Sequence, residues 1–265
     1  MLRCLHTKDL LPDEYTLSNH PDSLLRAEYS NEKLVKNDDH KGIWQYSDWL
    51  PVLNNSEQIA GTVSYKSEGL AKELGMSNLW IAYHGYWPEK GGLCPTTSFK
   101  DLEAICTIQR LKDYDCKGMI CASAGNTARS FTHFGGEADF PILVIVAEKH
   151  LHRIWVPENH NVDSVTIIGI GDQAGYNDAI DVANEVAQII QWQLEGGAKN
   201  IARRDGIGSL MVDAAYKIGH LPDHYFQAVG GGPGPIGVHE MAVRISETKT
   251  LDGPIPRQHL SQNFE

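Results

Sequence analysis

The stretch FPILVIVAE at residues 140–148 constrains the fold most, because it is apolar at almost every position. A strand with one face in solvent alternates polar and apolar residues, whereas a strand that is covered on both faces does not. A second run of this kind, DSVTIIGIG, occupies residues 163–171. Both faces of such strands must be covered by other elements, so the sequence predicts a parallel sheet between helices.

Helical patterns alternate with these strands. A short strand, GMICAS at 118–123, is followed by the helical segment GNTARSFTHFGG, and apolar residues recur at helical spacing over 176–197, which ends in Gly-Gly. A further helix is predicted over 206–222, and then a strand from residue 224 that enters a glycine-rich loop. Strands that alternate with helices of this length are typical of βαβ units, so the predicted fold class is α/β.

The first ninety residues show less periodicity. We predict a short helix in KSEGLAKELG at 66–75, closed by Gly75, and a strand in NLWIAYHGYW at 78–87.

Composition excludes several classes of function. The 265 residues include 23 Lys and Arg against 34 Asp and Glu, a net charge of −11, which disfavours nucleic acid and anionic membranes as partners. The five cysteines form no C-x-x-C pair, which argues against a zinc ribbon or a disulfide framework. No apolar run reaches the roughly 18 residues of a membrane span, and acidic residues come too early for a secretion signal. We therefore expect a cytoplasmic protein.

No metal site is expected either. The twelve histidines are scattered, and the pair in KHLH, His150 and His152, follows a strand. Histidines in such a position are more often loop or surface residues than ligands.

Three stretches carry the candidate chemistry: TTSFKD at 96–101, ASAGNTAR at 122–129 and AVGGGPGPIG at 228–237. Lys100 stands just before a predicted helix, and an amine that reacts as the free base needs a partly desolvated site. Backbone N–H groups at a helix start and in a glycine loop bind anions. Taken singly, Lys100 is more often a surface lysine, and Ser123 or Asn126 is more often a simple helix cap, whereas the glycine loop could equally be a tight strand-to-helix connection. Together they provide what pyridoxal phosphate needs, which is an amine, a contact for the ring oxygen and a phosphate seat.

The order S-F-K-D, S-A-G-N-T and glycine loop resembles the fold-type II pyridoxal-phosphate enzymes, the group of threonine synthase, cysteine synthase and the tryptophan synthase β chain. Longer stretches resemble the cysteate synthase branch: YTLSNHPDSLLRAEY, DWLPV, YKSEGLAKELG, GYWPEKG, SFKDLEA, ARRDGIGSLMVDAA and LPDHYFQAVG. The resemblance implies a three-layer αβα fold of two domains with mainly parallel sheets. Residues 1–117 and 222–265 would form a large domain, and 118–221 a small inserted domain.

The resemblance also implies roles for residues. Lys100 would hold the cofactor covalently and later abstract the substrate α-proton, and Asn126 would contact the ring oxygen. Arg203 and Arg204 are candidates for an anionic substrate group, with a solvated basic turn as the alternative. The residues expected to bind the substrate carboxylate are Ser123, Ala124, Gly125 and Thr127, and those expected to line the cofactor phosphate are Gly230, Gly231, Gly232 and Gly234.

The implied reaction is β-replacement on O-phospho-L-serine by sulfite, which gives L-cysteate and phosphate for coenzyme M biosynthesis. A threonine synthase-like or other β-replacing enzyme is an alternative, and so is a catalytically degenerate relative. A nucleotide-binding dehydrogenase is a weaker one, because TIIGIGDQAG at 166–175 is one residue longer than the dinucleotide fingerprint. The family further implies a homodimer.

The sequence departs from the family pattern at several positions. Threonine synthases usually read P-T-G-S-F-K-D-R-G at the lysine, whereas here Thr97 stands where Gly is expected and Leu102-Glu103 replace Arg-Gly, which favours the cysteate synthase branch. The glycine loop of cysteate synthases reads G-S-G-T-G-G, whereas Pro233 and Pro235 stand at two of its positions here, and proline has no N–H to offer a phosphate. The family continues beyond LSQNFE, so we expect a C-terminally truncated chain, with an incomplete large domain and an exposed sheet edge that a second polypeptide could complete.

Overall fold

A computed structural model describes residues 1–15, 17–30, 33–155 and 163–263. The described residues form six α-helices: α1 Glu68–Glu73, α2 Lys100–Asp113, α3 Asn126–Glu137, α4 Tyr176–Ile190, α5 Ile201–Ile218 and α6 Pro233–Glu247. They also form thirteen strands: β1 Leu2–Cys4, β2 Leu10–Leu11, β3 Leu25–Ala27, β4 Val63–Lys66, β5 Trp80–Tyr83, β6 Tyr86–Trp87, β7 Gly92–Leu93, β8 Met119–Ala122, β9 Ile142–Ala147, β10 Val165–Ile170, β11 Gln193–Leu194, β12 His224–Ala228 and β13 Arg257–Ser261.

A four-stranded parallel sheet in the order β10-β9-β8-β11 forms the centre of the inserted region. Val144 of β9 pairs with Cys121 of β8 on one side and with Ile167 of β10 on the other. All six residues of β9 are buried. The apolar run at 140–148 is therefore an interior parallel strand, as predicted.

Successive side chains of this sheet point to opposite faces, and a helix covers each face. One face contributes to a core that includes α3, and the other contacts α4. The first face carries Met119, Cys121, Ile142 and Val144, which cluster with Phe131 and Phe134 of α3. The second carries Ile120, Leu143 and Ile145, which cluster with Ala179 and Ala183 of α4. This arrangement is the predicted three-layer αβα fold.

The helix predicted over 176–197 is shorter than expected. It ends at Ile190, because Gln191 adopts a left-handed conformation with φ of 56°. The chain then forms β11, which pairs in parallel with β8. Gly196 and Gly197 form the turn after this strand and do not terminate the helix.

Helix α5 begins earlier than the predicted residue 206. The Asn200 side chain accepts hydrogen bonds from the N–H groups of Ala202 and Arg203, at 3.0 and 3.4 Å, and so caps a helix that begins at Ile201. Helix α5 packs against α2 and α6. The division into two domains, with boundaries at 118 and 221, stays a prediction.

The N-terminal third is built from small antiparallel sheets. Strands β2-β1-β3 form one of them, β4-β5 a second and β6-β7 a third. The single strand predicted over 78–87 is two strands, β5 and β6, which pair with different partners. The helix predicted over 66–75 is α1. Strands β12 and β13 pair in parallel elsewhere in the chain. Within the described ranges, no helix has both the length and the apolar character that crossing a bilayer requires.

Candidate active site

A cavity of about 330 Å³ brings the three candidate stretches together. Strand β8 leads into the segment 123–127, and strand β12 leads into the glycine loop. Ligands of α/β proteins commonly bind at such carboxyl ends of parallel strands. The predicted residues that line the cavity are Lys100, Ser123, Gly125, Asn126, Thr127, Gly230, Gly231, Gly232 and Gly234, together with Arg203. Ala124 and Arg204 do not line it.

Lys100 is the first residue of α2, and its amine lies in the cavity wall. Its Nζ donates a hydrogen bond of 2.6 Å to Glu103 Oε1 and lies 4.7 Å from the centroid of the Phe99 ring. The side chain is 18 % exposed. Burial lowers the pKa of Lys100, and the Glu103 carboxylate partly opposes that shift. The setting is the partly desolvated one that the sequence predicted.

The turn before Lys100 is held by Asp101. Its carboxylate accepts hydrogen bonds from the backbone N–H of Thr96 at 2.9 Å and from the Thr96 hydroxyl at 2.5 Å. The same hydroxyl contacts Ser130 of α3 at 3.1 Å. Burial raises the pKa of Asp101, against the effect of these hydrogen bonds. The network ties the start of α2 to α3 and thereby aims Lys100.

Helix α3 begins at the cavity, with Gly125 at its N-cap. The N–H of Gly125 donates to Ser123 Oγ at 3.2 Å, and Asn126 Oδ1 accepts from Arg129 Nη1 at the same distance. A Cβ added to Gly125 would meet nothing within 4 Å. The first-turn N–H groups of a helix have no intrahelical acceptors, so this end of α3 can hold an anion.

The glycine loop has open space beside it. A Cβ added to Gly230 would meet nothing within 4 Å, and at Gly231 the nearest atom would be Pro233 Cδ at 3.9 Å. The N–H groups of Gly230, Gly231 and Gly232 donate to no acceptor among the residues that the structure describes. Gly232 has a φ of 91°, a left-handed conformation that suits glycine. Free N–H groups and room for a ligand fit a phosphate.

Two prolines limit this cradle. Pro233 is the first residue of α6, and Pro235 lies two residues further in its first turn. Proline is favourable at a helix start because the N–H there has no intrahelical partner. The same property removes two N–H donors from the glycine-loop side of the cavity, as the sequence predicted.

The two candidate arginines have different surroundings. Arg203 lines the cavity, and its Nε and Nη2 bond to Glu103 Oε2 at 2.7 and 2.6 Å, while Nη1 bonds to Glu195. Although burial acts to lower the pKa of Arg203, these two carboxylates raise it above its usual value.

Arg204 is buried away from the cavity. Its Nε donates to Glu240 Oε2 at 2.9 Å, and its remaining donors bond to the carbonyl oxygens of Ala198 and Leu25. Its donors are used inside the protein, which corrects the expectation that Arg204 binds substrate. Neither arginine lies in a solvated turn.

Sequence reasoning missed three residues that belong to this site. Glu103 could have been found, because it follows Lys100 by three positions and so shares a helix face with it. Glu195 and Tyr176 line the cavity, and their positions depend on β11 and on the start of α4. Only the assembled sheet brings them to Lys100.

Two other candidate sites are less favourable. At 171–175 the N–H of Gly175 donates to the Asp178 carboxylate at 2.7 Å, so the protein's own anion occupies the start of α4. His150 and His152 lie in a short helical turn, Glu148–Arg153. In the part of the chain that the structure describes, no three His, Cys, Asp or Glu residues are placed to hold a metal ion.

The chain belongs to the pyridoxal-phosphate dependent enzyme family, since residues 56–249 match the profile of that family. The cofactor predicted from the sequence, pyridoxal phosphate, is confirmed by this membership. Among curated proteins, the chain is 43 % identical over 263 residues to the cysteate synthase of Methanocella arvoryzae, which covers 99 % of this chain and 63 % of that protein. It is 42 % identical over 265 residues to the cysteate synthase of Methanosarcina acetivorans, again with 63 % of the relative covered. The chain thus spans less than two thirds of these relatives' length.

Solved structures confirm the fold. Maize serine racemase superposes with a TM-score of 0.57 at 17 % identity, over 75 % of this chain and 55 % of that one. The serine racemase of Dictyostelium discoideum gives the same TM-score and identity, over 76 % of this chain and 59 % of that one. The fold class, a fold-type II pyridoxal-phosphate enzyme, is as predicted.

Proposed function

We propose that this protein catalyses a pyridoxal-phosphate dependent β-replacement on O-phospho-L-serine, with sulfite as the nucleophile. The bond between the β-carbon and the phosphate oxygen breaks and a carbon–sulfur bond forms, so the products are L-cysteate, a precursor for coenzyme M, and inorganic phosphate. The observation that carries the proposal is the single cavity that holds an amine, a helix start and a glycine cradle. Similarity to cysteate synthases supports the choice of substrates.

Each lining group has a role in this proposal. Lys100 would hold the cofactor through its Nζ and afterwards carry the α-proton of the substrate. Asn126 would contact the ring oxygen, and the N–H groups of the 123–127 segment would bind the substrate carboxylate. The free N–H groups of the 230–232 loop, with that of Gly234, would hold the cofactor phosphate. The cofactor, when bound, withdraws electron density from the α-carbon and so makes its proton removable.

Arg203 is the candidate for the charge of the substrate phosphate or of sulfite. Its Nε and Nη2 are held by Glu103, so these two atoms keep the guanidinium in place. Nη1 points to Glu195, whose side chain also lines the cavity. An anionic substrate would replace the Glu195 carboxylate at Nη1.

A second candidate is a relative that has lost its chemistry. It is favoured by the two prolines in the glycine loop and by the Glu103 carboxylate, which already accepts a hydrogen bond from the amine of Lys100. A threonine synthase-like reaction, with a different nucleophile at the β-carbon, is the alternative within the same chemistry. The proposal places the protein in the cytoplasm, where its five free cysteines would stay reduced, and includes a homodimer.

Cofactor loading is the first test. The purified chain is incubated with pyridoxal phosphate and dialysed, and its visible absorption spectrum is recorded beside those of Lys100→Ala and Lys112→Ala. Lys112 belongs to the same helix but is exposed, so its variant is the matched control. We expect the band of lysine-bound cofactor to persist in the wild type and in Lys112→Ala and to be absent from Lys100→Ala.

Activity is then measured as phosphate release from O-phospho-L-serine with and without sulfite, with L-cysteate identified by mass spectrometry. Sulfite-dependent formation of L-cysteate that Lys100→Ala abolishes is the expected result. Cofactor loading with phosphate release but no L-cysteate would favour the threonine synthase-like alternative. A wild-type chain that retains no band would favour the degenerate relative.

A further inference from the structure

Glu103 holds the amine of Lys100 from one helical turn further along α2. The distance from Lys100 Nζ to Glu103 Oε1 is 2.6 Å. The carboxylate side chain is 1 % exposed, whereas the lysine side chain is 18 % exposed at the cavity wall. The carboxylate is therefore part of the protein interior, and the amine is the part that a ligand can reach.

The second oxygen of Glu103 is also occupied. Oε2 accepts hydrogen bonds from Nε and Nη2 of Arg203, so each carboxylate oxygen has a cationic partner of its own. Arg203 in turn bonds to Glu195 through Nη1. The four side chains form a row of alternating charge, Lys100–Glu103–Arg203–Glu195, whose formal sum is zero.

Charged and titratable groups face Lys100 from several elements. Glu103 approaches from α2, Arg203 from α5 and Glu195 from the segment after β11, while Tyr176 at the start of α4 and Cys121 of β8 adjoin the same row. Loss of the ammonium proton would leave two carboxylates against one guanidinium in a partly desolvated cavity wall. Burial and Arg203 favour that loss, and Glu103 and Glu195 oppose it. Of these groups, Glu103 makes the direct hydrogen bond.

We propose that Glu103 is a positioning residue. It keeps the cofactor-free side chain of Lys100 as an ammonium ion in the cavity wall and so sets the pH above which Lys100 can react. This rests on the proposed function of Lys100 as the lysine that binds the cofactor. The nitrogen must release one proton to solvent before its lone pair can attack a carbonyl carbon. A stronger hold on the proton therefore moves the onset of reactivity to higher pH.

The test measures the amine without the cofactor. Acetic anhydride acylates only an unprotonated amine: an N–C bond forms, acetate leaves and the proton goes to the buffer. The rate at Lys100 is followed by peptide mass spectrometry as a function of pH in the 265-residue chain, with Lys112 as internal reference. We expect Glu103→Gln to move the midpoint at Lys100 to lower pH by about one unit or more, which is about a tenfold faster acylation below both midpoints.

The matched control is Glu195→Gln, which removes a charge from the same row but not the direct partner of the amine. We expect it to move the midpoint by less than about 0.3 unit. Glu103→Asp draws the carboxylate back by one methylene, and we expect a downward shift smaller than that of Gln. If Glu103→Gln does not fold, the shift measured in Glu103→Asp still tests the proposal.

An unchanged or raised midpoint in Glu103→Gln and in Glu103→Asp would overturn the proposal, and so would an equal shift in Glu195→Gln. The proposed function can be rejected independently of this role of Glu103. Absence of a cofactor band in a wild-type chain whose Lys100 midpoint still depends on Glu103 would reject the proposed function and keep the proposed role of Glu103.

Discussion

Thr97 has a backbone conformation that its side chain disfavours. Its φ is 57°, in the left-handed region, and it lies three residues before Lys100. A residue with a β-carbon costs roughly 1–2 kcal/mol there, and a β-branched side chain is among the least suited. Glycine adopts this region without that cost. Neighbours hold the strained turn in place, since Asp101 binds Thr96 on one side and Ser98 Oγ accepts the Lys100 N–H at 3.2 Å on the other.

Replacement of Thr97 by glycine should stabilise the protein. Glycine removes the strain, and because it also has more freedom in the unfolded chain, we expect a net gain of about 1 kcal/mol in the free energy of unfolding. Chemical denaturation measures it. Thr97→Asn should also stabilise, whereas Thr97→Val should not, since valine is β-branched as well. A Thr97→Gly variant that is no more stable than the wild type would contradict the inference that the backbone at Thr97 is strained.

Contacts between helices depend on glycines where backbones meet. A Cβ on Gly237 of α6 would overlap the carbonyl oxygen of Arg204 in α5, and a Cβ on Gly206 of α5 would overlap the carbonyl oxygen of Leu102 in α2. The sequence pattern suggested that GPGPIG belongs to a loop, but Gly237 lies inside α6 and its lack of a side chain sets how closely that helix approaches α5.

Gly237→Ala should therefore destabilise the fold. Backbone atoms cannot move aside as a flexible side chain can, so we expect a loss of about 2–3 kcal/mol in the free energy of unfolding. Gly69→Ala in α1 is the control, because a Cβ there meets nothing within 4 Å and alanine favours a helix by roughly 0.5–1 kcal/mol. Urea unfolding of both variants tests the prediction. Equal midpoints for Gly237→Ala and the wild type would disprove the close contact.

At the scale of the whole molecule, buried arginines fasten the N-terminal segment to the helices. Arg110 donates to the carbonyl oxygen of Pro51 at 2.8 Å, and Arg244 donates to that of Ala27 at 3.0 Å. Arg204 donates to the carbonyl of Leu25. Each of the three also pairs with a carboxylate, those of Asp13, Asp205 and Glu240 respectively. A segment with little regular structure thus obtains partners for its backbone from residues far along the chain.

Asp13→Asn tests this fastening. It would leave the buried Arg110 guanidinium without its carboxylate, and since Asp13 is partly exposed we expect a loss of about 2 kcal/mol at pH 7. Burial alone would raise the pKa of Asp13, but Arg110 lowers it below its ordinary value. A depressed folded-state pKa means stability that is present above about pH 4 and is lost as the pH falls through the folded-state value.

The difference between the wild type and Asp13→Asn should accordingly shrink in acid. Thermal unfolding between pH 7 and pH 3 measures it, and Asp22→Asn, which changes an exposed carboxylate, should match the wild type throughout. A difference that stays constant down to pH 3 would mean that the pair with Arg110 does not carry the effect.

The sequence alone determined the α/β class, the strands β8, β9 and β10 and the helices that cover them. These follow from local periodicity, because a segment that is buried on both faces has a different pattern of apolar residues from one that is buried on a single face. It also singled out Lys100 and the glycine loop, because an unusual lysine and clustered glycines are local features too. The resemblance to related enzymes, carried by whole motifs, identified the cofactor.

Only the tertiary structure decided how the charged residues are used. Arg203 and Arg204 are neighbours in sequence, yet one lines the cavity and the other binds Glu240 and the N-terminal segment. Glu195 reaches Arg203 because residues that extend a helical pattern form β11 instead, where pairing with β8 outweighs local preference. Ion pairs between residues as far apart as Glu103 and Arg203 leave no periodic trace, since their partners are chosen by the packing of whole elements.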